Sequence, residues 1–143
     1  MATNPQVATS LKPLPAINDL TRPFWQAAAQ HQLMIQCCQK CGHFNHPPQS
    51  VCDACLSQRL EFTPVSGRGT IYSYTVMHQP NVAGFEKEIP YINILVELDE
   101  QSRLFMVSYL SMSEHDKVRI GGRVEVTFEK IDEEITLPQF RLV

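Results

Sequence analysis

Two C-x2-C pairs are the residues of this chain whose spacing best supports chemistry. Cys38 and Cys41 form the first pair, Cys52 and Cys55 the second, with ten residues between them. Two such hairpins bring four thiolates to the corners of a tetrahedron, which suits Zn²⁺ at a Zn–S distance of about 2.3 Å. Four thiolates also complete the coordination sphere and leave no position for a reactive water. The expected ion is therefore structural and its binding energy becomes folding energy. Gly42 follows the first pair and lets the chain turn with positive φ. Pro47-Pro48 stiffens the intervening loop. Iron held by the same four thiolates is the alternative metal, and a red colour of the purified protein would decide for it.

The fifth cysteine, Cys37, would change the first spacing to C-x3-C and is left out of the ligand set as a spare thiol. His43 and His46 lie inside the metal loop and read as surface residues, since four cysteines suffice. An odd, clustered set of five cysteines makes a poor disulfide framework and a good metal site.

The elements that must hold this site follow from pattern. Residues 1–20 carry few large apolar groups and read as an extended or disordered arm. Residues 21–32 read as a short N-terminal helix with Thr21 as cap, Pro23 in its first turn, and Phe24, Trp25 and Ala28 on one side. A helix this short must pack on something, and its tryptophan suits an interface. Residues 33–63 are the ribbon.

Beyond residue 64 the signal is β. Thr70–Met77, Tyr91–Leu98, Arg103–Leu110, Arg123–Ile131 and Ile135–Val143 read as strands. In Arg123–Ile131, Val124, Val126 and Phe128 alternate with Glu125, Thr127 and Glu129. Ser113–Val118 reads as one helical turn capped by Ser113. Pro138 assigns the last strand to an edge or a bulge. Five short strands with one small helix between them, over residues 64–143, fit an OB-type barrel. The predicted class is mainly β: helix, four-cysteine zinc ribbon, five-stranded barrel.

The formal net charge is −3, which argues against a nucleic-acid-binding surface. No apolar run is long enough to span a bilayer, and the N-terminus lacks the basic start and apolar stretch of a signal peptide. The expectation is a cytoplasmic protein with no membrane partner. No G-x-S-x-G elbow, H-E-x-x-H or phosphate-cradling glycine loop occurs, so no catalytic residue is assigned. A lone His78 reads as structural.

The segment order resembles the rubredoxin-like zinc ribbon plus OB-fold family of acyl-CoA-associated accessory proteins, long known only as a domain of unknown function. The resemblance runs from Phe24 to Leu142. Phe24-Trp25, the double C-x2-C with Pro47-Pro48, and GRGTIYSYTVMHQP from Gly67 to Pro80 carry it. So do PYINILVELDE from Pro90, VRIGGRVEVTFE from Val118 and LPQFR from Leu137. Family members are small accessory subunits of thiolase-like condensing enzymes, acyltransferases, aldolases or hotdog-fold hydratases. The resemblance implies a bridge between subunits, with the ribbon and N-terminal helix making the contacts, and at times a wall of the CoA channel. Self-association is a further expectation. The family often has Arg after the double proline and Pro after the third cysteine, where this chain has Gln49 and Asp53.

A contact with CoA held by a partner needs cations for phosphate and flat surfaces for adenine. The candidates are Phe85, Tyr91 and Arg103, with Arg68, Lys87, Lys117 and Arg119 as further cations near loops. The alternative is a single-stranded nucleic-acid-binding OB module stacking bases on Tyr72, Tyr74, Phe105 and Phe128, which the acidic balance disfavours.

Overall fold

The computed structural model describes residues 12–79 and 82–143. Most of the predicted arm, residues 1–11, and residues 80–81 lie outside the described residues. Residues 12–18 run without regular structure into helix α1 (Arg22–Ala29).

Thr21 precedes α1 but does not cap it through its side chain. Asn18 does this work: its carbonyl accepts from the Arg22 amide at 2.8 Å and its Oδ1 accepts from the Thr21 amide at 2.9 Å. The sequence explains the change. A capping hydroxyl accepts from the second or third helical amide, and the second helical residue is Pro23, which has none. The inward face of α1 is Phe24, Ala27 and Ala28, with Trp25 half-buried at its margin.

The ribbon is a three-stranded antiparallel sheet of β1 (Met34–Cys38), β2 (Phe44–Asn45) and β3 (Leu60–Pro64), in the order β2-β1-β3. The remaining strands are β4 (Arg68–Met77), β5 (Tyr91–Leu98), β6 (Phe105–Ser111), β7 (Arg123–Lys130) and β8 (Thr136–Leu142). They form one antiparallel sheet in the order β6-β5-β4-β7-β8. A bulge between Ile71 and Ser73 bends β4, which lets the sheet curl toward closure. The interior is apolar: Ile71, Ile92, Ile94, Val96, Leu98 and Val124 are each at most 1% exposed. The expected inward set of β7 holds, with Val124 buried and Val126 and Phe128 packed on the core.

Curling brings the two edge strands, β6 and β8, face to face. Ser108 on β6 joins them: its hydroxyl donates to Gln139 Oε1 at 2.5 Å and accepts from the Phe140 amide at 3.1 Å. Pro138 sits on β8, an edge strand, as its missing amide requires. Between β6 and β7 lies a 3-10 turn, Met112–Lys117, capped by Ser111 rather than Ser113. β6 stays extended through Ser111, so its hydroxyl is the one placed to accept from the Ser113 amide.

Candidate functional site

The four ligand cysteines converge. Their sulfurs all lie within 4.8 Å of one another. Cys38 and Cys55 are 3.6 Å apart, as are Cys41 and Cys52. A disulfide would need about 2.05 Å. A tetrahedral zinc with Zn–S near 2.3 Å needs about 3.8 Å between sulfurs, so the donor set fits a single ion.

The two halves of the site share one backbone device. The Gly42 amide donates to the Cys38 carbonyl at 2.8 Å, and the Leu56 amide to the Cys52 carbonyl at 2.9 Å. Each turn ends with a left-handed residue, Gly42 at φ 79° and Leu56 at φ 65°. This geometry aims amides at sulfur. The Cys41 amide, with that of Lys40, holds the Cys38 thiol down to about 6. At Cys52 burial opposes ionisation, yet the amides of Cys55 and Ala54 outweigh it and the thiol is lowered. The His43 amide favours ionisation of Cys41, but burial and the neighbouring sulfurs push that thiol up to about 12. A cluster that invites the first thiolates and resists the last is one that a divalent cation completes.

Buried amides tie the metal loop down. Gln36 Nε2 donates to the Gln49 carbonyl at 2.9 Å, and its Oε1 accepts from the Gln49 amide at 2.8 Å. Asn45 Oδ1 accepts from the Asp53 amide at 3.0 Å. Asp53 therefore supplies a backbone donor that a proline at this position would lack. The Gln49 side chain folds back to the Pro47 carbonyl at 3.2 Å. Cys37 is not part of the ligand cluster; its thiol lies 3.6 Å from the Gly42 carbonyl, and burial pushes it up.

Beside the ribbon lies an apolar groove of about 450 Å³. It follows the β6–β8 seam, from Met106–Tyr109 across to Leu137–Gln139. Phe24 and Trp25 of α1, His46-Pro47-Pro48 of the ribbon loop, and Phe85 complete its walls. His46 is not a free surface residue as the sequence suggests. Its ring centroid is 5.4 Å from that of Phe24, and burial lowers its pKa below the ordinary 6.5. No pattern marks this groove in the sequence, because it is assembled from segments far apart along the chain.

Of the candidate CoA contacts, only Phe85 lines the groove. Tyr91 is 5% exposed and serves the core. It packs against Phe85 and Tyr109 with ring centroids 5.3 and 5.7 Å away. Arg103 lies on the turn after β5, at the opposite end of that strand from Tyr91, with a left-handed φ of 62°. The structure does not bring these three together. Lys12 joins the Phe85 cluster instead. Its ammonium meets Glu88 at 2.5 Å and sits 4.7 Å from the Phe85 ring centroid. Of the stacking aromatics, Tyr72 and Phe105 pair on the outer face at 4.8 Å. Phe128 is covered by His31 at 5.3 Å, and Glu97 lies across the strand from Phe105. No helix among the described residues is long and apolar enough to cross a membrane.

A small zinc-ribbon module joined to an OB barrel is thus the class that the fold and site define. Family models agree in two adjoining pieces: "ChsH2, rubredoxin-like zinc ribbon domain" matches residues 25–61, and "ChsH2, C-terminal OB-fold domain" matches residues 62–129. A DUF35 domain-containing scaffold protein of Methanothermobacter thermautotrophicus is 35% identical over 68% of this chain and 71% of its own length. The chain belongs to this DUF35, ChsH2-type family. A "Probable enoyl-CoA hydratase alpha subunit" of Thermomonospora curvata is 40% identical over 95% of this chain. The match spans 41% of that relative's length. A solved structure, "Ltp2-ChsH2(DUF35) aldolase", superposes with a TM-score of 0.77 at 38% identity, covering 90% of this chain and 98% of that one.

Proposed function

We propose that this chain is a non-catalytic accessory subunit of a multi-subunit acyl-CoA enzyme, of the thiolase-like condensing, acyltransferase or hydratase type. It bridges subunits, and its groove contributes a wall to the path of the CoA thioester, with Phe85 as the contact residue. The observation that carries the reading is the company its relatives keep. They are named a scaffold protein, a hydratase alpha subunit, a benzoylsuccinyl-CoA thiolase subunit and a partner in an aldolase. The match to the hydratase alpha subunit leaves most of that relative's length to other sequence. An open apolar groove flanked by a half-buried tryptophan is the surface such a partner would cover. The zinc, held by four thiolates, supplies structure only.

The test is purification of the tagged chain from its native cells at low salt, with mass-spectrometric identification of what accompanies it. A thiolase-like, aldolase or hydratase subunit in fixed stoichiometry is expected, and its acyl-CoA turnover should fall when this chain is omitted from the reconstituted complex. Recovery of the chain alone, or an enzyme indifferent to its omission, would refute the reading.

A further inference from the structure

One residue connects the metal ribbon to the barrel by an unusual route. Gln101, on the turn between β5 and β6, uses both ends of its side-chain amide on Phe44 of β2. Its Oε1 accepts from the Phe44 amide at 2.8 Å, and its Nε2 donates to the Phe44 carbonyl at 3.0 Å. A single side chain thereby pairs with the outer edge of the ribbon sheet as a further strand would. Phe44 begins the segment that runs through Asn45 and His46 to Pro47 and Pro48. The last three of these line the groove, and the His46 ring packs beside Phe24 with centroids 5.4 Å apart. Asn45, between them, is tied to the second metal turn through the Asp53 amide. The same stretch of chain is thus held by the metal turns, by the barrel and against α1.

We propose that Gln101 is the positioning residue through which the metal-bound ribbon holds the His46–Pro48 wall of the groove against α1. Metal binding fixes the second metal turn, that turn fixes Asn45, and Gln101 fixes the neighbouring Phe44 relative to the β6 wall. Without the metal or without Gln101, the His46–Pro48 wall swings away from Phe24 and Trp25. The buried residues of β4, β5 and β7 form one cluster with Leu33 and Ile35, and Phe44 packs against it, but His46, Pro47 and Pro48 lie outside that cluster, so the barrel should keep its core when this wall moves. This inference stands independently of the proposed enzyme partner, since it concerns the geometry of the isolated full chain.

Trp25 is the single tryptophan of the protein and lines the groove, so its fluorescence reads the groove directly. The experiment uses the full chain loaded with Co²⁺, whose thiolate absorption reports the metal site, and compares it with Gln101→Ala and Gln101→Glu. In Gln101→Ala the cobalt spectrum should be unchanged, while Trp25 emission shifts to the red and its quenching by acrylamide rises. Gln101→Glu can still accept from the Phe44 amide but cannot donate to its carbonyl, and should fall between the two. Chelation of the wild type should move Trp25 in the same direction and further, with amide exchange in β5 and β6 unchanged. Trp25 quenching unaltered in cobalt-loaded Gln101→Ala would overturn the inference. So would loss of β5 and β6 protection on chelation, since the metal would then act on the whole fold rather than on the ribbon and the wall it holds.

Discussion

Gly42 and Leu56 occupy the same place in the two metal turns, and only one of them is suited to it. Both are left-handed, a conformation that costs an ordinary L-residue roughly 1–2 kcal/mol. A Cβ added at Gly42 meets nothing within 4 Å, so Gly42→Ala should destabilise the ribbon by about 1 kcal/mol through backbone strain alone. Leu56 already bears that strain and is 73% exposed. Leu56→Gly should therefore stabilise by about 0.5–1 kcal/mol, once glycine's freedom in the unfolded chain is deducted. Chemical denaturation of the metal-loaded protein measures both, and a destabilised Leu56→Gly would show that its side chain packs. The ligands themselves are a sharper case. Cys41→Ser removes one thiolate from a site whose kind contributes about 10–16 kcal/mol in isolated finger peptides. Amides of β1 to β3 should then exchange as in an open chain, and a protected, metal-free ribbon would contradict this. The ligand set was legible because two short spacings determine it. Leu56 was not, because the turn imposes its conformation and the residue does not advertise it.

At the scale of elements, one side chain bonds across the seam between β6 and β8. Ser108 is 4% exposed and accepts from the amide of Phe140, itself a buried residue. Ser108→Ala leaves that donor unpaired and should cost about 1–3 kcal/mol, read as a lowered Tm with the cobalt spectrum intact. An unchanged Tm would mean that water replaces the hydroxyl. The strands themselves were readable, since alternation in Val124–Phe128 and the apolar run Tyr91–Leu98 reflect which faces are buried. The caps were displaced by a few residues. Thr21 and Ser113 carry suitable hydroxyls, but the chain reaches the helical path with Asn18 and Ser111 in the accepting positions. Cap chemistry is visible in composition, while its placement depends on where the preceding segment stops being extended. Tyr91 is a related case: an aromatic at a strand's first residue has no pattern to say whether it faces in or out, and here it faces in.

For the whole molecule, the groove and the outer face of the barrel form one surface through Val107. That residue lines the groove, yet it is 69% exposed. Its cross-strand partner is Leu95, and Phe105 and Tyr72 continue the apolar strip along the sheet. An apolar patch of this kind on a protein of net charge −3 suits contact with a partner better than contact with phosphate. Val107→Glu separates the fold from its use. The substitution lies on the surface, so stability should stay within about 0.5 kcal/mol, and the cobalt spectrum should not change. A carboxylate driven into the covered centre of an interface is different, because it must lose its water without gaining a partner. Affinity for the proposed partner enzyme should fall at least about tenfold, equivalent to about 1.4 kcal/mol. Calorimetric titration of the two purified proteins gives that number. An unchanged affinity in a normally folded Val107→Glu protein would place the partner elsewhere, on the exposed turn at Leu56 or on the face of α1 away from the barrel, and would leave the groove to a small ligand.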